Sequence, residues 1–108
     1  MRSVLVVPVL ALALAALAPS AAFAYVDAGR GENIARRWCA PCHVAAPDQK
    51  SASADVPPFL SLARSKTDQE LAAFLTDPHP KMPNLHLSRE EIADLVAYIR
   101  SLDSAKAK

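Results

Sequence analysis

The sequence contains little of what small domains commonly use to stabilise themselves or to bind nucleic acid. It has 108 residues, with only two cysteines and two glycines. Two cysteines cannot build the disulfide framework of many small secreted domains. No block of basic residues suggests a nucleic-acid partner. No alternation of apolar and polar residues is long enough for a sheet, so the predicted fold class is all-α.

One long apolar run is present, at residues 4–17, and it is broken only by Pro8. Arg2 precedes the run, and Ala22-Phe23-Ala24 follows it as an A-x-A cleavage pattern. These features predict a cleaved signal peptide, residues 1–24, and a periplasmic mature domain, residues 25–108. Cleavage after Ala22 is the competing site. An uncleaved membrane anchor is the other alternative, although the run is shorter than the roughly 20 residues a spanning helix needs.

The mature chain is a single small domain with no net charge. Without Arg2, it has eleven basic and eleven acidic residues. A chain of this size gains only a few kcal/mol from its own apolar core and usually needs a further stabilising element. A large covalent cofactor would supply that element.

The first helix is predicted to begin at an Asp27 cap and to run to about Ala40. Gly31 lies early in this helix, where glycine is costly, and we expect it to let another helix approach closely. An apolar face is predicted from the helical spacing of Ala28, Gly31, Ile34, Ala35 and Trp38. Trp38 is expected either to pack against a cofactor or to be a core or partly exposed aromatic.

Later helices are indicated by clear start and stop signals. The short apolar stretch at residues 59–64 predicts one or two helical turns. It follows a predicted loop over residues 44–58. Thr67 with Glu70, and Ser88 with Glu91, form capping boxes that predict two more helix starts. Pro78 ends the earlier of these helices, whose buried face is predicted to comprise Leu71, Phe74 and Leu75. The proline-rich residues 77–87 should be extended and stiff.

The motif that carries chemistry is Cys39-Ala40-Pro41-Cys42-His43. C-x-x-C-H is the haem attachment signature. On a helical turn, Cys39, Cys42 and His43 project from one face, so two thiols can bond the porphyrin while the imidazole binds the iron. One covalently attached haem c is therefore predicted, with His43 as the proximal ligand.

Three other interpretations of the motif are weaker. A thioredoxin-like redox pair needs a βαβ unit, and no strands are indicated. A zinc site needs two further ligands, and His79 and His86 are spaced more widely than zinc fingers use. A structural disulfide would leave His43 without a role.

The sixth iron ligand is predicted to be Met82, because haem iron accepts a thioether sulfur and Met82 is the methionine outside the signal segment. It lies in the proline-stiffened segment, which suits a weak ligand held at fixed distance. His79 and His86 are the competitors, and a gap-filling core methionine is the alternative role. Lys81 is either a partner contact near the haem edge or a solvated lysine.

Across nearly the whole mature chain, the sequence resembles the class I cytochrome c family, and most of all its short bacterial mono-haem members. The likeness rests on a helix near Gly31, the haem motif, Met82-Pro83-Asn84-Leu85, and a last helix in which Tyr98 is expected to pack on Gly31. The resemblance implies the cytochrome c fold. Ala35 departs from the family, in which a larger residue is common.

The resemblance also implies roles on the proximal side of the haem. Pro58 and Leu60 are similar to the family's Pro-x-Leu, in which the proline carbonyl accepts a hydrogen bond from the axial histidine. Pro57 is the alternative register.

Two filled axial positions describe an electron carrier rather than an enzyme. The expected partners are redox proteins, including membrane-bound respiratory complexes, and the carrier is expected to be a monomer. The alternative is a dedicated cytochrome subunit of an exported dehydrogenase or oxidase. A haem sensor or peroxidase is a weaker option, because it would require Met82 to be displaced.

Overall fold

A computed structural model describes residues 25–78 and 80–106, so the predicted signal peptide and its cleavage sites lie outside the described residues. In this part of the chain the structure is helical and contains no strand, which confirms the all-α prediction. The elements are α1 (Ala28–Ile34), a π-helical turn (Ala35–Cys39), α2 (Phe59–Ser65), α3 (Asp68–Thr76) and α4 (Arg89–Lys106). None of the described helices combines the length and apolar character needed to cross a membrane.

The helix starts are the ones that the sequence predicts. The Asp27 carboxylate accepts hydrogen bonds from the backbone N–H groups of Gly29 (2.8 Å) and Arg30 (3.3 Å). Both capping boxes form, each with one bond of 3.1 Å and one of 2.8 Å: Thr67 with Glu70, and Ser88 with Glu91. These side chains satisfy N–H groups that have no partner within the helix.

The helices α1 and α4 cross in close contact at Gly31. A Cβ atom at this position would overlap the backbone carbonyl of Asp94 and lie 2.9 Å from Cβ of Tyr98. Only glycine fits without displacing α4, which confirms the prediction that Gly31 allows a close helix approach. Tyr98 packs there, as expected.

The core lies where α4 contacts the three other helices. Among the residues that the structure describes, Leu95 is the largest side chain that is fully buried. Many of its neighbours are small, so the apolar area they bury is modest. The buried residues of the cluster are Ala35, Cys39, Ala45, Phe59, Ala63, Leu71, Leu95, Val96, Tyr98 and Ile99.

The π-helical turn changes which residues face this core. The Ala40 N–H donates to the Ala35 carbonyl five residues back, at 2.9 Å, instead of four residues back. The wider turn brings Cys39 into line with Ala35 and Gly31, all of them buried. Trp38 is 55% exposed, so it does not lie on the buried face predicted for this helix, and its packing against a cofactor stays a prediction.

The predicted buried face of α3 is correct for two of its three residues. Leu71 is buried and Leu75 packs against the core, but Phe74 is 43% exposed. Ala72 also packs against the core. Because residues follow at about 100° on a helix, the buried face centres between Leu71 and Ala72 and leaves Phe74 at its side.

A buried carboxylate lies at the helix crossing. Asp94 accepts hydrogen bonds from the backbone N–H of Asp27 (2.8 Å) and from Nε of Arg30 (3.0 Å). Burial alone would raise the pKa of Asp94, but the Asp27 N–H and the Arg30 guanidinium outweigh burial and hold the pKa below its usual value.

Arg100 of α4 joins the connection between α2 and α3 to the rest of the fold. Its guanidinium donates to the backbone carbonyls of Ala63 and Lys66 and to the carboxylate of Asp68. The Ala63 and Lys66 carbonyls lie at the end of α2, where backbone acceptors lack helical partners. One side chain therefore fixes the end of one helix and the start of the next.

The Gly31 crossing predicts a large effect of one methyl group. Gly31→Ala should lower the free energy of unfolding by about 1–3 kcal/mol, because the methyl would overlap α4. Gly29→Ala is the matched control, since its methyl would meet only Oδ1 of Asp27, at 3.1 Å. Urea denaturation of the haem-loaded proteins is the measurement, and equal stability of the two variants would contradict a tight crossing.

The Asp94 contact predicts a pH-dependent stability. Asp94→Asn should cost roughly 1–3 kcal/mol at neutral pH, because a charged hydrogen-bonded pair is broken. The folded-state pKa is lowered, so the stabilisation is complete above the unfolded value of about 3.9 and is lost as pH falls through the folded-state value. Denaturation over a pH series should therefore show that the difference in free energy of unfolding between wild type and Asp94→Asn becomes smaller at acid pH.

Asp103→Asn supplies the control for this series, because Asp103 pairs with Arg64 on the surface. Exposed pairs contribute about 0–1 kcal/mol. A difference between wild type and Asp94→Asn that stayed constant through acid pH would rule out the ionic role of Asp94.

Candidate functional site

The haem motif forms a single helical turn that continues from the π-helical turn. The backbone N–H groups of Cys42 and His43 both donate to the carbonyl of Cys39, at 3.1 and 2.8 Å. Cys39, Cys42 and His43 thus stand three and four residues apart on one turn, as the spacing predicts. Side chains at this spacing are neighbours on a helix surface.

The two thiols are free rather than joined as a disulfide. Burial, and then the neighbouring Cys42, raises the pKa of Cys39 to about 11. Redox-active cysteine pairs depend on a lowered thiol pKa, so this environment does not favour thioredoxin-like chemistry. Among residues 25–78 and 80–106, no three His, Cys, Asp or Glu side chains converge as a metal site, which leaves no support for zinc there.

The His43 imidazole is oriented by the loop that follows the motif. Its Nδ1 atom lies 2.7 Å from the backbone carbonyl of Pro57. A carbonyl only accepts hydrogen bonds, so Nδ1 carries the proton and Nε2 is the nitrogen able to bind a metal. The ring of Phe59 lies 5.3 Å from the imidazole, centroid to centroid, and restricts its rotation.

The predicted role of Pro58 as the acceptor for His43 is therefore wrong, and the alternative register, Pro57, is correct. The reason is local: Pro58 caps α2, and its carbonyl accepts the first helical hydrogen bond, from Leu62 at 3.2 Å. Phe59 then occupies the third position of the Pro-x-Leu pattern. Leu60 is half-buried one residue further on, and its contact with haem stays a prediction.

Two further residues hold the loop, and sequence reasoning did not give them these contacts. The Tyr98 hydroxyl donates to the Ala45 carbonyl at 2.6 Å, which ties α4 to the residues just after the motif. The Gln49 side chain bonds four backbone groups, two in the motif turn (Ala40 and His43) and two in the loop after it (Ala45 and Ser51). A lone amide among loop residues gives no periodic signal, so only the folded loop identifies it.

The segment between α3 and α4 carries the candidates for the sixth ligand. Met82 is half-buried beside a turn at Pro80 and Lys81, and its role as ligand stays a prediction. His86 is exposed and adopts a left-handed conformation (φ 52°), with its N–H bonded to Oδ1 of Asn84. His79 is not among the described residues.

These residues fit a covalently attached haem. Two unpaired thiols and an imidazole stand on one turn, and the hydrogen bond of Nδ1 leaves Nε2 for the iron. Cys39 and Cys42 would form the thioether links and His43 would be the axial ligand. A carbonyl partner on the far nitrogen is typical of metal-bound histidine, because it fixes the ring and raises its basicity.

Comparisons with known proteins agree with this chemistry. Residues 26–99 match the family described as cytochrome c oxidase, cbb3-type, subunit III. Over 93 residues the chain is 53% identical to cytochrome c-552 of Bradyrhizobium diazoefficiens, an alignment that covers 84% of this chain and 89% of the relative. No solved structure gives a significant match. The chain therefore belongs to the small class I c-type cytochromes, which carry covalently bound haem c and transfer electrons between redox partners rather than acting as enzymes.

Proposed function

We propose that this cytochrome is an exported, diffusible electron carrier in which His43 and Met82 bind the haem iron from opposite sides. The observation that carries the proposal is the fixed imidazole: Nδ1 of His43 donates to Pro57, next to two free thiols. Haem bound here supplies an iron atom that gains and loses one electron. The protein's part is to hold both ligands still and to leave no position for oxygen.

Methionine suits the second axial position for chemical reasons. A thioether is a soft ligand that favours ferrous iron and raises the reduction potential relative to a second imidazole. The half-buried Met82 follows Pro80 and precedes Pro83, which restrict the backbone on both sides. His86 is exposed and is held in an unusual backbone conformation, which makes it the weaker candidate.

The shuttle role is favoured over the role of a dedicated enzyme subunit. The relative at 53% identity is named as a cytochrome in its own right, and 89% of its length aligns, so it is similarly short. The family description names an oxidase subunit, which keeps the second role testable. Gel filtration of fresh periplasmic extract discriminates them: a monomeric haem peak supports the shuttle, and co-elution with a larger redox enzyme supports the subunit.

Replacing the proposed distal ligand tests the iron coordination. Met82→Ala should keep the covalent haem, because Cys39, Cys42 and His43 are unchanged. It should abolish the sulfur-to-ferric-iron charge-transfer band and lower the reduction potential, since the soft ligand is removed. Carbon monoxide should bind the reduced variant far better than the parent. Near-infrared spectra, potentiometry and carbon monoxide titration are the measurements.

Histidine substitutions complete this experiment. If His79 or His86 replaces the lost sulfur, Met82→Ala will be low-spin, and the additional changes His79→Ala and His86→Ala should make it high-spin. The double variant with Met82 intact is the control and should keep the parent spectrum. An unchanged charge-transfer band and potential in Met82→Ala would refute methionine ligation.

Export is tested by the mass of the haem protein. Cleavage after Ala24 predicts a mature chain of residues 25–108 with one haem attached, because the A-x-A pattern ends there. Mass spectrometry of periplasmic protein is the measurement. A chain that begins after Ala22 would move the cleavage site, whereas retention of Met1 on the haem protein would indicate a membrane-tethered form.

A further inference from the structure

The loop behind the haem motif is organised around a single amide side chain. Oε1 of Gln49 accepts a hydrogen bond from the Ala45 N–H at 2.9 Å. Nε2 lies 2.8 Å from the carbonyls of Ala40 and His43 and 3.1 Å from that of Ser51, so its two N–H groups serve three acceptors and at least one of these bonds is shared. One partly buried side chain thus joins both ends of the motif turn to the loop that returns beneath it.

The chemistry of these partners requires an amide. Three of the four are carbonyls, which need a donor, and the fourth is an N–H, which needs an acceptor. The Ala40 carbonyl ends the π-helical turn, and carbonyls at such a position lack partners in the helix. Glutamate would present acceptors to acceptors, and an apolar side chain would leave the carbonyls unpaired.

We propose that Gln49 is the positioning residue that fixes the orientation of the axial histidine, an inference that rests on the proposed role of His43 as iron ligand. His43 is held at two points: its backbone carbonyl by Gln49 and its ring nitrogen by the Pro57 carbonyl. The ring bond keeps its geometry only while the backbone of His43 stays in place. Gln49 therefore acts on the iron through the imidazole, without contacting the metal itself.

This role gives a direction for the reduction potential. Donation from Nδ1 to Pro57 makes the imidazole a more basic ligand, which stabilises ferric iron. Loss of Gln49 should lengthen that bond, weaken the ligand and raise the potential. General loosening of the fold would act in the opposite direction, because water reaching the haem stabilises the more highly charged ferric state.

The test compares Gln49→Met with Gln69→Met in haem-loaded protein. Methionine has a similar length and no charge, and Gln69 lies exposed on α3 as the matched control. In reduced Gln49→Met, the ring Nδ1 proton of His43 should exchange with solvent roughly tenfold faster by NMR, the factor that loss of about 1.4 kcal/mol produces. The potential should rise, and Gln69→Met should match wild type in both measurements.

The outcomes separate this inference from the proposed function. If wild-type protein shows no haem-shifted His43 ring proton, histidine ligation itself fails. If that proton is present, and if its exchange rate and the reduction potential are the same in Gln49→Met as in Gln69→Met, Gln49 has no positioning role. Gln49→Glu keeps the acceptor for the Ala45 N–H and is the second variant, with faster exchange again expected. Failure of both Gln49 variants to accumulate as haem protein, with normal Gln69 variants, would assign Gln49 to folding and overturn the proposal.

Discussion

The close crossing of α1 and α4 at Gly31 is the constraint on which the rest of the structure depends. It brings the backbone of Asp94 and the side chain of Tyr98 against α1. From this position Tyr98 reaches the Ala45 carbonyl, and Asp94 accepts the N–H that begins the first helix. The crossing therefore helps to fix the first turn of α1, which contains Gly31, and the loop that follows the haem motif, which does not.

Local signals were sufficient to predict the helices and the motif turn. The capping pairs at Thr67 and Ser88 and the stop before Pro78 depend on residues a few positions apart, and the structure confirms each of them. The Cys39 to His43 spacing likewise depends on one turn. Such features are set by hydrogen bonds within a short segment, so sequence alone specifies them.

The features that sequence could not give depend on the folded loop. The π-helical turn places Cys39 on the buried face with Gly31 and Ala35, one residue later than the spacing of an α-helix predicts. Nothing in the local composition marks that shift. The choice between Pro57 and Pro58 follows from which carbonyl begins α2. Gln49 bonds groups that come together only when residues 40–51 fold back on themselves. In each case the outcome depends on which backbone group accepts or donates a particular hydrogen bond. The periodicity of apolar residues does not predict that choice.

Hydrogen bonds to backbone groups anchor the motif turn and the loop around His43. The cluster around Leu95 contains several alanines, which contribute little buried area. In contrast, Pro57, Gln49 and Tyr98 each fix a group in or beside the motif turn by a bond of 2.6 to 2.9 Å. Bonds of this kind resist displacement of the imidazole. Electron transfer is fastest when the ligands of the iron move least between the two oxidation states, so this anchoring supports the proposed role of His43 as an iron ligand in a carrier.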